Sequence, residues 1–244
     1  MHRCLVRPEQ ILNGSLSLNK EQSRHLRTVL RVQPGDSLEL FDGAGRTCCA
    51  SITQVEKNAI FISACGQPLL HPGPACAITL FACISKGKRM DWTVEKATEI
   101  GVARIVPVIS ERTIVRLSQA DGENRTERWR RVAEDAARQC GTAWIPEISA
   151  PLSFAQTLAI LSESSPVFTA ALTKEALPLR DAIRRYPEPP PVAGWLVGPE
   201  GDFTAAELEL LHRHPTHFVS LGANILRAET ASLYGLCALS CAWL

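Results

Sequence analysis

The sequence lacks the features that would assign it to a membrane or to a secretory pathway. No apolar run in its 244 residues reaches the roughly 20 residues that a bilayer-spanning helix needs. The amino terminus has no apolar core of a signal peptide, because charged residues (Arg3, Arg7 and Glu9) follow Met1 closely. We therefore predict a cytoplasmic protein with no membrane partner.

The sequence also lacks the spacing of a metal site or of a disulfide framework. Its nine cysteines contain no C-x-x-C pair, and no histidine accompanies them at ligand spacing. His212, His214 and His217 are a remaining possibility for a metal, but they straddle a predicted helix end at Pro215, which favours an exposed turn. The prediction is no metal, with the cysteines as small apolar residues in a reducing compartment.

Common nucleotide and hydrolase motifs are missing as well. Residues 198–203 (GPEGDF) contain two glycines, but no Lys-Ser/Thr pair follows them and they lack the G-x-G-x-x-G spacing. No serine lies between them, as a G-x-S-x-G elbow requires. What remains is a tight backbone loop that offers hydrogen bonds to a small ligand, with an acid nearby.

What the sequence does contain is two glycine-bearing turns, each directly after a short apolar run. Residues 198–203 follow Leu196-Val197, and residues 221–231 (LGANILRAETA) follow Phe218-Val219. In an open α/β sheet, ligands bind outside the carboxyl ends of the strands. The two turns therefore predict a cofactor pocket, while Arg227 and Glu229 could also simply pair and cap the next helix.

The chain divides into two predicted domains. Residues 1–70 contain short strands separated by glycine and asparagine turns, which is typical of a small β-barrel, and residues 66–74 form a Pro/Gly linker. Residues 75–244 alternate strands and helices, as an α/β domain does. Capping residues predict four helix starts in this domain: Asp91, Asn124 with Glu127, Ser153, and Thr204 with Glu207.

The charge is unevenly distributed, although the net charge is only +1. Residues 1–35 carry six lysines and arginines (Arg3, Arg7, Lys20, Arg24, Arg27, Arg31) against two acids (Glu9, Glu21). A local basic arm on a nearly neutral protein is consistent with nucleic-acid contact, and it is equally consistent with an ordinary solvent-exposed surface. Composition alone favours neither interpretation.

The last predicted helix, residues 229–244, is apolar nearly all round. One side of a terminal helix can pack on the sheet of its own domain, but a helix with no polar face has to be covered on the other side too. We therefore predict a homodimer through this helix.

Several motifs occur in order along nearly the whole chain. They are HLRTVLRVQPGDSLELFDGAG, KGKRMDWTVEKATEIGVARIVPVISERTIVR, ERWRRVAEDAARQCG with IPEI behind it, GPEGDF and LGANILRAETA. Together they resemble the RsmE-type methyltransferases of the SPOUT superfamily, which use S-adenosylmethionine to methylate N3 of a uridine in 16S ribosomal RNA of the small ribosomal subunit. The resemblance implies a PUA-like N-terminal β-barrel that binds RNA and a homodimeric C-terminal SPOUT α/β domain with a deep trefoil knot.

The same resemblance implies roles for individual residues. The residues expected to bind S-adenosylmethionine are Leu172, Gly198, Pro199, Glu200, Gly201, Leu221, Gly222, Ile225, Leu226 and Thr230. Those expected to contact RNA are Arg7, Arg24, Arg27, Arg31, Lys86, Lys88 and Arg89. As a hypothesis, Arg227 stabilises the charge that develops on the uracil oxygens, and Glu229 or solvent takes the N3 proton.

The chain departs from the family pattern at three positions. Asp202 stands where a second glycine is usual, Asn224 where an arginine is usual, and Thr142 where an arginine is frequent. The first two changes make the predicted pocket more negative, which could weaken RNA binding or alter the target. Two other functions therefore stay open: another SPOUT methylation, such as ribose 2′-O transfer, and a non-catalytic RNA-binding or ribosome-assembly factor.

Overall fold

The fold is given by a computed structural model that describes residues 2–12, 15–28, 30–115 and 118–243. The chain forms two compact units. One comprises Met1–Gly73 with Ala137–Ile145, and the other comprises Pro74–Ala136 with Pro146–Leu244. Nothing in the sequence pattern indicates that the short segment 137–145 belongs with the first unit.

The first unit is built on a mixed sheet. Its elements are β1 (His2–Leu5), α1 (Pro8–Leu12), β2 (Ser15–Ser17), α2 (Lys20–Thr28), β3 (Ser37–Phe41), β4 (Arg46–Val55), β5 (Ile60–Ala64) and β6 (Leu69–Leu70). The strand order is β1-β3-β4-β5-β2, with β6 beside β4. Alternate residues of β3 (Leu38, Leu40) and β5 (Ile60, Ile62) are buried, as a sheet with one inward face requires. The prediction of a strand-rich N-terminal domain is confirmed.

A buried arginine fixes the segment 137–145 in this unit. Nη1 of Arg3 donates to the carbonyl oxygens of Ala137 (2.6 Å) and Thr142 (3.0 Å). Its Nε pairs with the carboxylate of Glu39, and its guanidinium lies 4.3 Å from the ring centroid of Phe41. A buried charge is tolerated when it is paired and hydrogen-bonded in this way. Arg3 therefore serves the fold of this unit.

The second unit contains an eight-stranded parallel sheet in the described residues. Its strands are β7 (Ala77–Cys83), β8 (Arg104–Ile109), β9 (Glu147–Ile148), β10 (Leu152–Ser153), β11 (Val167–Ala170), β12 (Leu177–Pro178), β13 (Val192–Val197) and β14 (Thr216–Ser220). Their order is β10-β8-β7-β13-β11-β14-β12, with β9 beside β8. The central strands β7 and β13 are buried except at their first residues, which explains their continuous apolar sequences.

Five α-helices lie between these strands in the described residues: α3 (Arg89–Ile100), α4 (Gln119–Cys140), α5 (Phe154–Leu161), α6 (Leu179–Ile183) and α7 (Ala205–His212). A further helix, α8 (Ala228–Trp243), follows the last strand. The predicted starts at Ser153 and Thr204 are confirmed, because both residues form complete capping boxes. These boxes fix where α5 and α7 begin.

The other two predicted helix starts are wrong. Helix α3 begins at Arg89, so Asp91 lies inside its first turn, where the carboxylate pairs with Arg128. Helix α4 begins at Gln119, well before Asn124, because Ser118 and Asp121 already provide reciprocal capping bonds. An earlier S-x-x-D sequence therefore takes precedence over the predicted box at Asn124.

Helix α8 packs closely on the centre of the sheet. Trp195 of β13 is fully buried, and its Nε1 donates to the carbonyl oxygen of Ser232 at 3.1 Å. A Cβ atom at Gly235 would lie 2.0 Å from Cε2 of Trp195, so this face of the helix accepts only glycine there. Helix α8 thus returns from the strand β14 to the middle of the sheet.

The trefoil knot stays a prediction. The order of the strands places β11 between β13 and β14, and α8 then contacts β7, β13 and α3. None of the helices in the described ranges combines the length and the apolar character that crossing a bilayer requires.

Candidate cofactor site

A cleft opens in the second unit where three loops leave the parallel sheet. They follow β11, β13 and β14, and we call those after β13 and β14 the first loop (residues 198–203) and the second loop (residues 221–227). About 630 Å³ of empty space lies between the walls, part of it open to solvent. The cleft lies at the carboxyl ends of parallel strands, which is where α/β proteins bind ligands.

The backbone of the first loop is held by one of its own side chains. Asp202 adopts a left-handed conformation with a φ of +57°, which aspartate tolerates better than most residues. Its Oδ1 accepts a hydrogen bond from the N–H of Phe203 at 2.8 Å, and its Oδ2 accepts one from the N–H of Leu172 at 3.1 Å. Asp202 therefore keeps a backbone shape that suits glycine and also joins the first loop to the loop after β11.

A polar network fixes the end of the first loop. The buried carboxylate of Glu207 accepts hydrogen bonds from the N–H groups of Thr204 (2.9 Å) and Glu111 (2.8 Å). Nη1 of Arg112 donates to the carbonyl oxygen of Gly201 at 2.7 Å. Sequence reasoning missed both Glu111 and Arg112, because nothing in their local pattern reveals contacts with residues about ninety positions away.

An arginine links the first loop to the start of helix α8. Nη1 of Arg89 lies 2.9 Å from Oε1 of Glu200, and its Nε lies 3.7 Å from Oε1 of Glu229. The other oxygen of Glu229, Oε2, is buried and has no hydrogen-bond partner among the described residues. A buried acceptor without a partner is costly in a fold, so it marks a position where a ligand group can bind.

The second loop carries few such contacts. Gly222 has a φ of +119°, and the side chain of Ile225 is 78% exposed although it lines the cleft. The side chains of Asn224 and Arg227 are exposed, and neither forms a hydrogen bond or an ion pair with another described residue. Leu226 of the same loop is half-buried and also lines the cleft.

Most residues expected to bind the cofactor come together here. Those that line the cleft are Leu172, Gly198, Pro199, Glu200, Leu221, Gly222, Ile225 and Leu226. Gly201 lies in the first loop and Thr230 lies exposed on α8, both outside the lining. Arg227 and Glu229 stand at the α8 side of the cleft, beside the lining residue Ala228. The lining also includes Asp202 and Asn224, which the sequence singled out only as departures from a pattern.

The residues expected to contact RNA lie in both units. Arg7, Arg24 and Arg31 of the first unit are exposed, whereas Nη1 of Arg27 donates to the carbonyl oxygens of Glu56 (3.2 Å) and Lys57. In the second unit, Lys86 and Lys88 are exposed in the turn between β7 and α3, directly before Arg89, the first residue of α3. Because Arg89 pairs with two carboxylates, it also belongs to the cleft.

The histidines considered for a metal have separate partners. The carbonyl group of Leu208 and then the carboxylate of Glu175 raise the pKa of His212, whereas burial lowers the pKa of His217, whose Nε2 lies 2.7 Å from the hydroxyl of Tyr186. In the described part of the chain, no group of three or more His, Cys, Asp or Glu residues could hold a metal ion.

Comparison with known proteins identifies the family. The chain matches the RNA methyltransferase domain over residues 72–240 and the RNA methyltransferase PUA domain over residues 18–65. The ribosomal RNA small subunit methyltransferase E of Synechocystis sp. is 30% identical over 236 residues, which are 96% of this chain and 76% of that protein. The chain belongs to the RsmE-type RNA methyltransferases.

Solved structures of similar proteins agree with this family. Ribosomal RNA small subunit methyltransferase E from Neisseria gonorrhoeae, bound to S-adenosylmethionine, has a TM-score of 0.87 at 30% identity over 100% of this chain and 98% of its own. A Legionella pneumophila methyltransferase, also with bound S-adenosylmethionine, has a TM-score of 0.85 at 30% identity over 99% of this chain and 96% of its own. The family and the fold class that the motifs predicted are thus confirmed for this RsmE-type chain.

Proposed function

We propose that this chain transfers the methyl group of S-adenosylmethionine to N3 of a uridine in 16S ribosomal RNA. The observation that carries the proposal is the cleft at the ends of β11, β13 and β14, in a chain of the RsmE family whose solved relatives hold this cofactor. The reaction would take place in the cytoplasm, where ribosomal subunits are present.

The residues of the cleft fit the proposed cofactor. Gly198 and Gly222 have no Cβ, so the backbone groups of both loops can approach a ligand closely. Leu172, Ile225 and Leu226 offer apolar surface for a flat adenine ring, while Glu200 offers a carboxylate for hydroxyl or ammonium groups. When bound, S-adenosylmethionine supplies an activated methyl group on a positively charged sulfur.

Glu229 is the proposed acceptor of the N3 proton. Uracil N3 carries a proton that must leave as the N–C bond forms, and a carboxylate within reach can take it. The buried Oε2 of Glu229 has no partner among the described residues, whereas Arg89 lies near Oε1 and orients the group. Glu229 also lies in the first turn of α8, which fixes it beside the lining residue Ala228.

Arg227 is the proposed source of positive charge. As N3 is deprotonated, negative charge spreads to the uracil oxygens, and a positioned cation stabilises it most in the transition state. The guanidinium of Arg227 is exposed beside the cleft and has no ion-pair partner in the described ranges, so it is free to meet a substrate. The methyl group then bonds to N3 as its bond to sulfur breaks, and a neutral thioether remains.

The basic residues of both units are the proposed RNA contacts. Arg7, Arg24 and Arg31 are exposed in the first unit, and Lys86 and Lys88 are exposed in the second. Phosphate contacts of this kind hold an RNA in position without reading its sequence. Neutralising one of them should weaken RNA binding and reduce its dependence on salt, which filter binding at several salt concentrations measures.

A homodimer through α8 is also part of this proposal. Tyr234, Cys237 and Cys241 lie on one face of the helix at helical spacing and are exposed. The opposite face, with Gly235 and Leu239, is buried against the sheet. A second copy that covered the exposed face would remove this apolar surface from water. A monomeric sedimentation coefficient at micromolar concentration would contradict this part of the proposal.

The deciding experiment is methylation of small ribosomal subunits that lack the modification. The protein is incubated with them and S-adenosylmethionine, and the modified base is then mapped by mass spectrometry and nucleoside analysis. We expect 3-methyluridine at a single position. A 2′-O-methyl nucleoside would support the alternative SPOUT reaction. Cofactor binding absent from calorimetric titration would instead support a non-catalytic RNA-binding role.

A further inference from the structure

We propose that Asp202 makes the cleft discriminate between the positively charged methyl donor and the neutral thioether product. This inference rests on the proposed function, because it takes S-adenosylmethionine as the ligand. It goes further by assigning a role to a residue that the motif comparison singled out only as a departure.

Only two charged residues line the cleft in the described structure, Glu200 and Asp202, and both are acidic. Arg89 lies 2.9 Å from Glu200 and 3.7 Å from Glu229, so the carboxylate of Glu200 has a cationic partner that it shares with Glu229 outside the lining. Asp202 instead accepts hydrogen bonds from two neutral backbone N–H groups and forms no ion pair within the described residues. The nearby Arg112 binds the backbone carbonyl oxygens of Gly201 and Phe203. The uncompensated charge of the lining is therefore the carboxylate of Asp202.

The position of this carboxylate is fixed before any ligand arrives. The left-handed backbone of Asp202 turns its side chain toward Leu172, and each carboxylate oxygen accepts a different N–H group. A charge that is already oriented needs no reorganisation when a ligand binds, which makes its effect on that ligand larger.

The methyl donor and the thioether product differ in the charge that the Asp202 carboxylate would meet. S-adenosylmethionine and S-adenosylhomocysteine share the adenosine, the ammonium and the carboxylate groups. The donor alone carries a methyl group and a positive charge on sulfur. Contacts with the shared groups cancel in the ratio of the two affinities, so the ratio reports only the methyl group and the charge on sulfur. A charge–charge interaction across a partly solvated cleft changes an affinity by roughly fivefold to tenfold.

The consequence for the reaction concerns product release. Methyl transfer removes the positive charge from the sulfur, and the attraction to Asp202 is lost at that moment. The product then leaves a cleft that binds it less favourably than it bound the donor. The difference in affinity favours replacement of the product by a new donor molecule, because the donor regains the attraction that the product has lost.

The test is titration calorimetry on the full chain with S-adenosylmethionine, S-adenosylhomocysteine and sinefungin. Sinefungin has an ammonium group near the place of the sulfonium, so it separates the effect of charge from that of the methyl group. In Asp202→Asn, which keeps a left-handed backbone accessible, we expect the affinities for both cationic ligands to fall roughly fivefold to tenfold more than that for S-adenosylhomocysteine. Asp202→Gly should shift the ratios equally, since it also removes the charge.

The matched control is Asp181→Asn in helix α6. It makes the same chemical change at an exposed acid outside the cleft lining, so the affinity ratios should stay within about twofold of those of the wild type. Ratios that are unchanged in both Asp202 variants overturn the inference while leaving cofactor binding intact. A wild type that binds none of the three ligands contradicts the proposed function itself.

A second measurement needs no variant and covers the case in which the Asp202 variants fold poorly. Raising the salt concentration from about 0.05 M to about 0.5 M screens charge interactions in a partly solvated cleft. The wild-type affinity for the donor should fall relative to that for S-adenosylhomocysteine. A ratio that does not depend on salt would overturn the inference.

Discussion

The two glycine-bearing loops of the cleft follow neighbouring parts of one sheet, but they are held in different ways. The first loop is fixed by Asp202, by Arg112 on the carbonyl oxygen of Gly201, and by the ion pair between Arg89 and Glu200. The side chains of the second loop form no hydrogen bond or ion pair with other described residues. One wall of the site is therefore prepared in advance, and the other is left for the ligand to fix.

This difference has a physical reason in the chemistry proposed for the site. A wall that orients charges works best when it is rigid, because no reorganisation is then needed during the reaction. A wall that must admit a cofactor and a large RNA gains from low local stability, since binding can then order it. The second loop is a wall of this second kind, because the exposed side chains of Ile225 and Arg227 can each gain contacts when a ligand binds.

The largest expected effect comes from removing the unpaired cation of the second loop. Arg227→Ala should lower kcat by roughly a hundredfold or more, because stabilisation by a positioned charge acts mainly in the transition state. The affinity for S-adenosylmethionine should change little, since Arg227 does not line the cleft. Single-turnover methylation of ribosomal subunits and cofactor titration measure the two quantities.

A suitable control for Arg227→Ala is Arg213→Ala. Arg213 is also exposed but pairs with Glu209 at the end of α7, away from the lining of the cleft. Its turnover should match that of the wild type. Full activity of Arg227→Ala on unmodified RNA would remove Arg227 from the proposed mechanism.

The next largest effect is expected from disturbing the packing between the strand before the first loop and the helix after the second. Trp195 lies in the strand before the first loop, and Gly235 lies in the helix after the second. In Gly235→Ala the new Cβ would lie 2.0 Å from Cε2 of Trp195, so the helix or the indole has to shift. We expect the free energy of unfolding to fall by about 2 to 3 kcal/mol, and calorimetry should show a Tm lower by about 4–12 °C.

Gly122→Ala is the matched control for this substitution. Gly122 is also a helical glycine, but a Cβ there would lie at ordinary contact distances from the ring of Pro151, 3.7 Å from Cδ and 3.8 Å from Cγ. Alanine favours a helix over glycine by about 1 kcal/mol, so the Tm should stay equal or rise slightly. Equal losses in the two variants would show that the contact with Trp195 is not the cause.

The positions of the two loops could be predicted from the sequence, but the contacts that hold them could not. Glycines after apolar runs located both loops, and the capping box at Thr204 and Glu207 located the start of α7. These signals are local, since they depend on residues within about four positions of each other. The same reasoning failed at Asn124, where an earlier box at Ser118 and Asp121 begins the helix.

The contacts that distinguish the loops are not local. Arg89 and Glu200 are 111 positions apart, and Arg112 is 89 positions from Gly201. No periodicity connects such pairs, so the sequence assigned Arg89 to RNA contact and did not single out Arg112. The role of Asp202 depends on its distance to Leu172 in space, which only the folded chain reveals.

Hydrogen exchange tests directly whether the first loop is more rigid than the second. In the free protein, amides of residues 221–226 should exchange roughly tenfold faster than those of residues 198–203, because the first loop has the side-chain contacts. Saturating S-adenosylmethionine should slow exchange in the second loop more than in the first. Mass spectrometry of peptic peptides, with and without the cofactor, measures both. Equal protection of the two loops without ligand would contradict the conclusion that only the first loop is held in place before the ligand binds.

The smallest expected effect comes from removing the helix cap next to the first loop, which should loosen that loop and leave the second unchanged. Thr204→Ala removes the hydroxyl that accepts from the N–H of Glu207 at 3.3 Å, and the lost cap should cost about 1 kcal/mol. Ser153→Ala removes the equivalent cap of α5, far from the loops in sequence, and should cost the same. Only Thr204→Ala should speed hydrogen exchange in residues 198–203, and neither variant should affect residues 221–226. Phe154, next to Ser153, packs on Phe203 of the first loop with ring centroids 5.7 Å apart. Faster exchange in the first loop of Ser153→Ala would therefore mean that this ring contact or global stability, and not the cap at Thr204 alone, keeps the loop in place.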